Sequence, residues 1–213
     1  MSTVVIILIA ITAVTSFIGF NNQSFFDRGK FNINAILNGK QWDRLITSGF
    51  LHGDIMHLFF NMFTLYFFSD VIVQYLGTVD YLIIYFGAIL GGNLLSLWMY
   101  RRDLYYSAIG ASGGVSGILF ASIALYPHLE LYIMFIPIPI KGWVFGILYL
   151  AYSVYGMKAK LGNIGHAAHL GGSLVGLILA VTFAPAILRY NGLYIGIMAI
   201  PLIILGYYAY KEK

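Results

Sequence analysis

The chain has 213 residues, 60% of them hydrophobic and only 9% charged, with a mean hydropathy of +0.84. Soluble domains carry roughly 25% charged residues and need polar surface cover, so this composition excludes a water-soluble globule and points to lipid as the solvent. The net charge of +4 is spread over several loops, which excludes a basic arm gripping nucleic acid, and the absence of cysteine excludes a disulfide framework.

A helix needs about 20 apolar residues to cross a hydrocarbon core of about 30 Å. Seven stretches approach that: residues 3–20, 55–76, 81–100, 112–126, 140–157, 166–188 and 193–210. The first lacks a charged leader region and a small-residue cleavage site, and is read as a retained span. Residues 21–54 form the long polar segment, with Asp27, Arg28, Lys30, Lys40, Asp43 and Arg44. A loop of that length in a tightly connected bundle is functional or a small substructure. Trp42, Trp98 and Trp143 sit where interfacial aromatics belong. The fourth stretch covers only about 22 Å at 1.5 Å per residue. One of its ends is therefore expected below the membrane surface, and Gly110-Ala111-Ser112-Gly113-Gly114 marks which. Irregular backbone at that depth is tolerated only against protein or a wet cavity, which places Ser112 at the floor of a recess.

Polar and ionisable groups inside spans are functional candidates by default. His52, His57 and Asn61 stand at the start of the second span, Ser112 begins the fourth, and His166 and His169 begin the sixth. If the helices alternate in direction, these three starts lie at one level of the membrane. His57 and Asn61, four apart, share a helix face. Small residues recur every fourth position after Ser112 (Gly113, Gly117, Ala121) and after His169 (Gly172, Gly176, Ala180). Such faces let helices approach almost to backbone contact. A serine needs a base within hydrogen-bond reach to act as a nucleophile, and the unpaired amides opening its helix suit a developing oxyanion.

Blander readings exist for each part. A lone His or Ser in a span is more often an interhelical hydrogen bonder, and a small-residue face is usually only a packing surface. Gly110 to Gly114 also fits the G-x-S-x-G elbow of soluble hydrolases, but that elbow needs a strand before the serine, whereas a Tyr-rich loop precedes Ser112. Metal binding by His52, His57, His166 and His169 lacks an H-E-x-x-H pattern, a carboxylate among them within a span and any cysteine.

Three segments, in order and on alternate spans, resemble the rhomboid family. They are Arg44-Leu45-Ile46-Thr47-Ser48-Gly49-Phe50-Leu51-His52 with His57 and Asn61, then Gly110-Ala111-Ser112-Gly113, then Ala168-His169-Leu170-Gly171-Gly172 with Gly176. The resemblance implies an all-α polytopic membrane protein: a rhomboid-like six-helix bundle over residues 1–190, plus a seventh transmembrane helix and tail over 191–213. It implies an intramembrane serine endopeptidase without cofactor or metal, whose partners are the lipid bilayer and transmembrane protein substrates. Ser112 would be the nucleophile and His169 the base, with His57 and Asn61 stabilising the oxyanion. His52, Gly110 and Arg44 would support the site, and Gly113, Gly117, Gly172 and Gly176 would pack the helices.

The chain departs from the family in two places. Phe68-Ser69-Asp70 lacks a glutamate frequent there, and Ser116 replaces a tyrosine that in some relatives stacks on the catalytic histidine. The resemblance further implies a bacterial cell (inner) membrane with the site facing outward. The loop charges oppose that sidedness: Arg28, Lys30, Lys40, Arg44, Arg101, Arg102, Lys158 and Lys160 lie on the site's side, with Lys211 and Lys213, against Lys141 and Arg189 opposite. The functional alternatives are a catalytically inactive rhomboid-like protein that binds transmembrane helices, and a small-solute transporter with a histidine-lined path.

Overall fold

Lipid offers no hydrogen bonds to a bare backbone, so each apolar run must satisfy its own amides as helix. The computed structural model describes residues 2–132, 138–159, 161–162 and 164–211; Lys160 and Lys213, counted in the charge comparison, lie outside them. Seven apolar helices cover the expected spans: α1 (Thr3–Asn21), α5 (Ile55–Leu76), α6 (Thr78–Tyr100), α7 (Ser112–Leu125), α8 (Gly142–Ala159), α9 (His166–Phe183) and α10 (Ile187–Lys211). Among the described residues, α1, α5, α6, α9 and α10 are long and apolar enough to cross a membrane, and α7 is a shorter apolar helix. The protein is an all-α polytopic membrane protein.

The short α7 is the centre of the bundle. Every residue from Gly113 to Leu125 is buried, and α6 and α9 flank it. Its exposed-end problem is solved from a distance: Asn191 Nδ2 of α10 donates to the carbonyls of Ala124 and Leu125, both at 2.9 Å. Those carbonyls have no intrahelical partner at a helix C-terminus.

Two boundaries differ from the sequence reading by more than three residues. The sixth span ends at Phe183 rather than 188, and the seventh helix begins at Ile187 rather than 193. Pro185 supplies no N–H and disfavours helical backbone in the residue before it; Ala184 accordingly takes φ −132°, ψ 64°. The residues after it were apolar enough to look continuous with the span.

The long first loop is folded. It holds α2 (Gln23–Gly29), β1 (Phe31–Asn32), α3 (Ile33–Leu37), α4 (Arg44–Thr47) and a 3₁₀ turn, Ser48–Phe50. β1 pairs antiparallel with β2 (Ser107–Ala108), the segment leading into α7. Phe31, Ile33, Ile36, Leu45 and Leu97 form a small core of their own beneath it. A second ladder, β3 (Glu130–Tyr132) with β4 (Pro139–Lys141), joins α7 to α8. The sequence reading anticipated neither ladder.

Candidate active site

The turn into α7 is set by Gly110. Its φ of +120° lies in the region that L side chains avoid, and its N–H donates to the Ser48 carbonyl at 3.0 Å. A Cβ there would stand 2.8 Å from His57 Nε2 and 3.7 Å from Ser112 Oγ. The missing side chain thus leaves open the space beside both the His57 ring and the Ser112 hydroxyl. Asp54 caps α5 by accepting from the His57 N–H at 2.8 Å, which fixes His57 in the helix's first turn. Asn61, one turn on, donates one Nδ2–H to the His57 carbonyl at 2.9 Å. No side chain caps α7 itself, so its leading amides open at Ser112.

The histidine side is held by glycine contacts. A Cβ on Gly172 would overlap the Gly113 carbonyl oxygen, and one on Gly176 would overlap that of Gly117. On the other flank, a Cβ on Gly171 would come within 2.8 Å of Gly91 O and of Gly92 Cα in α6. The space beside Gly113 Cα lies 3.4 Å from the carbonyl oxygen of Ala168. The neighbours of Ser112 and His169 therefore meet backbone to backbone.

Ser112, His169, His57 and Asn61 all line one cavity of about 1400 Å³. It runs between α5 and α8, from Gly53 and Gly165 at one end to Val71 and Leu129 at the other, walled by phenylalanines such as Phe63 and Phe67. The three helix starts, at α5, α7 and α9, thus meet at the same end. A family model, the Rhomboid domain, matches residues 39–186.

This chain belongs to the rhomboid family.

Among its relatives, Rhomboid protein 1, mitochondrial, of Saccharomyces cerevisiae is 31% identical over 137 residues, which is 63% of this chain and 40% of that protein. RHOMBOID-like protein 12, mitochondrial, of Arabidopsis thaliana is 30% identical over 174 residues, or 75% and 51% of the two chains. The human Presenilin-associated rhomboid-like protein, mitochondrial, is 30% identical over 141 residues, 62% and 36% respectively. This chain spans about half or less of the length of these relatives. Their names are mitochondrial, which does not fit the bacterial cell membrane expected from the sequence; integral, multi-pass placement in a membrane stands.

The other predicted residues of this rhomboid chain lie behind the cavity or away from it. His52 is fully buried, with its ring edge-on to His57 at 4.9 Å. Ser16 of α1 donates its hydroxyl proton to the Phe50 carbonyl at 2.9 Å, so the 2.9 Å contact with His52 Nδ1 requires that nitrogen to be the donor. Nε2 is left as the acceptor, and it takes the Ala111 N–H at 3.3 Å. The amide just before Ser112 is thereby held away from the cavity. Arg44 is buried in the first loop, donating to the carbonyls of Asp27 and Lys30 at 2.8 and 2.6 Å and to Gln41 Oε1 at 2.7 Å. His166 does not line the cavity; its Nε2 lies 3.2 Å from the Leu161 carbonyl. Among the described residues no group of three potential metal ligands comes together.

Two residues beside the site escaped sequence reasoning. Ser16 carried a faint signal, since Thr12, Ser16 and Gly19 form a small, polar stripe on an apolar helix. Tyr149 carried none, being one of many tyrosines along the spans, yet its ring stacks on His169 with centroids 5.9 Å apart and planes at 20°.

Proposed function

We propose that this chain is an intramembrane serine endopeptidase cleaving transmembrane segments of membrane proteins through Ser112 and His169. The observation that carries the reading is the meeting of Ser112, His169, His57 and Asn61 on one cavity, with Ser112 and His169 on helices in backbone contact. In this mechanism Ser112 Oγ attacks the scissile carbonyl carbon while its proton passes to His169. The carbonyl oxygen becomes an oxyanion, met by the Ser112 N–H at the head of α7 and by the side chains of His57 and Asn61. His169 then gives its proton to the leaving amine, and the C–N bond breaks. Water, losing a proton to His169, attacks the acyl-serine carbonyl carbon; the C–Oγ bond breaks, the second product leaves as a carboxylic acid, and His169 returns the proton to Ser112 Oγ. A helical peptide bond is hidden from a nucleophile, so substrates would be helices that unwind easily near the membrane boundary, with small or helix-breaking residues there.

Purified protein should cut a model transmembrane substrate and react with a fluorophosphonate probe. Ser112→Ala and His169→Ala should each lower turnover on the order of 10⁴–10⁶-fold, and Asn61→Ala about 10²–10³-fold. Undiminished cleavage by Ser112→Ala or His169→Ala would sink the dyad. A parent protein that binds transmembrane helices but neither cuts nor labels would favour the inactive, helix-binding reading.

A further inference from the structure

Among the described residues no side chain hydrogen-bonds the His169 imidazole; the polar contacts of this residue are through its backbone, N–H to Gly165 O at 3.1 Å and carbonyl from Ser173 Oγ at 2.8 Å. A catalytic base normally owes its ring plane to a hydrogen-bonded third group. Here another restraint is in place. The Tyr149 ring lies nearly parallel to His169, at 5.9 Å and 20°, and His166 approaches from another side, edge-on at 6.4 Å and 71°.

Tyr149 is itself fixed at both ends. Phe145, one turn earlier on α8, stacks against it at 5.9 Å and 30°, and Phe120 of α7 leans on it at 5.7 Å. Its hydroxyl is 2.8 Å from Ser116 Oγ, and Ser116 is buried one turn after Ser112. A phenol end in an apolar interior needs such a partner. We propose that Tyr149 is a positioning residue for His169 and that Ser116 sets Tyr149, so the helix bearing the nucleophile also orients the base's ring. This rests on the reading of His169 as the base. Stacking restricts rotation of the imidazole out of one plane, and the π face attracts the imidazolium that forms when His169 takes the serine proton. Tyr149 acts through His169 and takes no part in bond making.

The test uses the full chain in detergent and reads kcat, KM and the rate of Ser112 labelling by a fluorophosphonate, which reports the dyad without a substrate helix. Tyr149→Leu, which removes the ring, should lower kcat and labelling about 10–100-fold, the size expected from a misplaced catalytic group, with KM within about 2-fold. Tyr149→Phe, which keeps the ring, should recover most of that loss. Tyr149→Phe and Ser116→Ala remove the same hydrogen bond, so the double variant should be no slower than the worse single one. If Tyr149→Leu does not fold, this cycle decides: fully additive losses, or none, overturn the proposal. A folded Tyr149→Leu with unchanged kcat and labelling overturns it too, as does a change confined to KM. If Ser112→Ala and His169→Ala abolish cleavage in the same assays, those failures belong to Tyr149 alone; if either still cuts, the dyad reading is what has failed.

Discussion

The seam between α6, α7 and α9 and the groove between α5 and α8 are built from opposite materials. The seam is made of glycine: added Cβ atoms at Gly117, Gly171, Gly172 and Gly176 would run into a neighbouring helix. The groove is walled by large aromatics, and Phe63, Phe67 and Tyr149 border open volume rather than backbone. One region holds atoms at fixed separation because nothing between them can yield; the other leaves open volume along α5 from His57 to Val71. Ser112 and His169 sit where the two regions meet. Their helices come from the rigid side, and the space before them belongs to the open one.

The largest expected effect tests the rigid side. Gly176→Ala must push α9 off Gly117, and overpacking typically costs about 1–3 kcal/mol. Gly196→Ala on α10 meets nothing within 4 Å and should unfold like the parent in a detergent denaturation series. Equal stability of the two variants would break the comparison.

A second test asks whether the seam alone sets the site. Ser16→Ala removes the acceptor for His52 Nδ1, leaving a fully buried N–H unpaired, which costs about 1–3 kcal/mol. Ser112 labelling should slow as well, because His52 holds the Ala111 amide. Lower stability with unaltered labelling would show that the glycine seam positions Ser112 without help from α1.

The smallest effect belongs to the first loop, outside both regions. Arg28 pairs with Asp43 at 2.7 Å in an exposed setting and holds the Asp43 carboxyl below its ordinary value of 3.8. A depressed carboxylate contributes stability above that ordinary value and loses it as pH falls through the lowered one. Exposed pairs contribute little. Asp43→Asn should therefore differ only slightly from the parent at pH 7, and the difference should vanish in acid. A loss as large as that of Gly176→Ala would place the loop within the rigid region.

Much of the site was legible because its signals are local. Gly110, Ser112 and Gly113 are consecutive or nearly so, His57 and Asn61 share a face by spacing, and Gly172 and Gly176 repeat every fourth residue. Ser116 stands where some relatives have a stacking tyrosine, and the ring is supplied instead by Tyr149 from α8. The end of the sixth span was misplaced because hydropathy does not register the break that Pro185 imposes.

By itself the sequence determined the solvent, the number of apolar helices in the bundle and the level at which the polar groups gather. Composition and helical period are properties of short stretches, and lipid leaves such stretches one backbone solution. Only the tertiary structure decided that β1 anchors the first loop to β2, that Ser16 sets the proton on His52, and that Tyr149 faces His169. Each of those joins residues remote in the chain through contacts of a few ångströms. No local pattern encodes such a contact, because it exists only once the helices have packed.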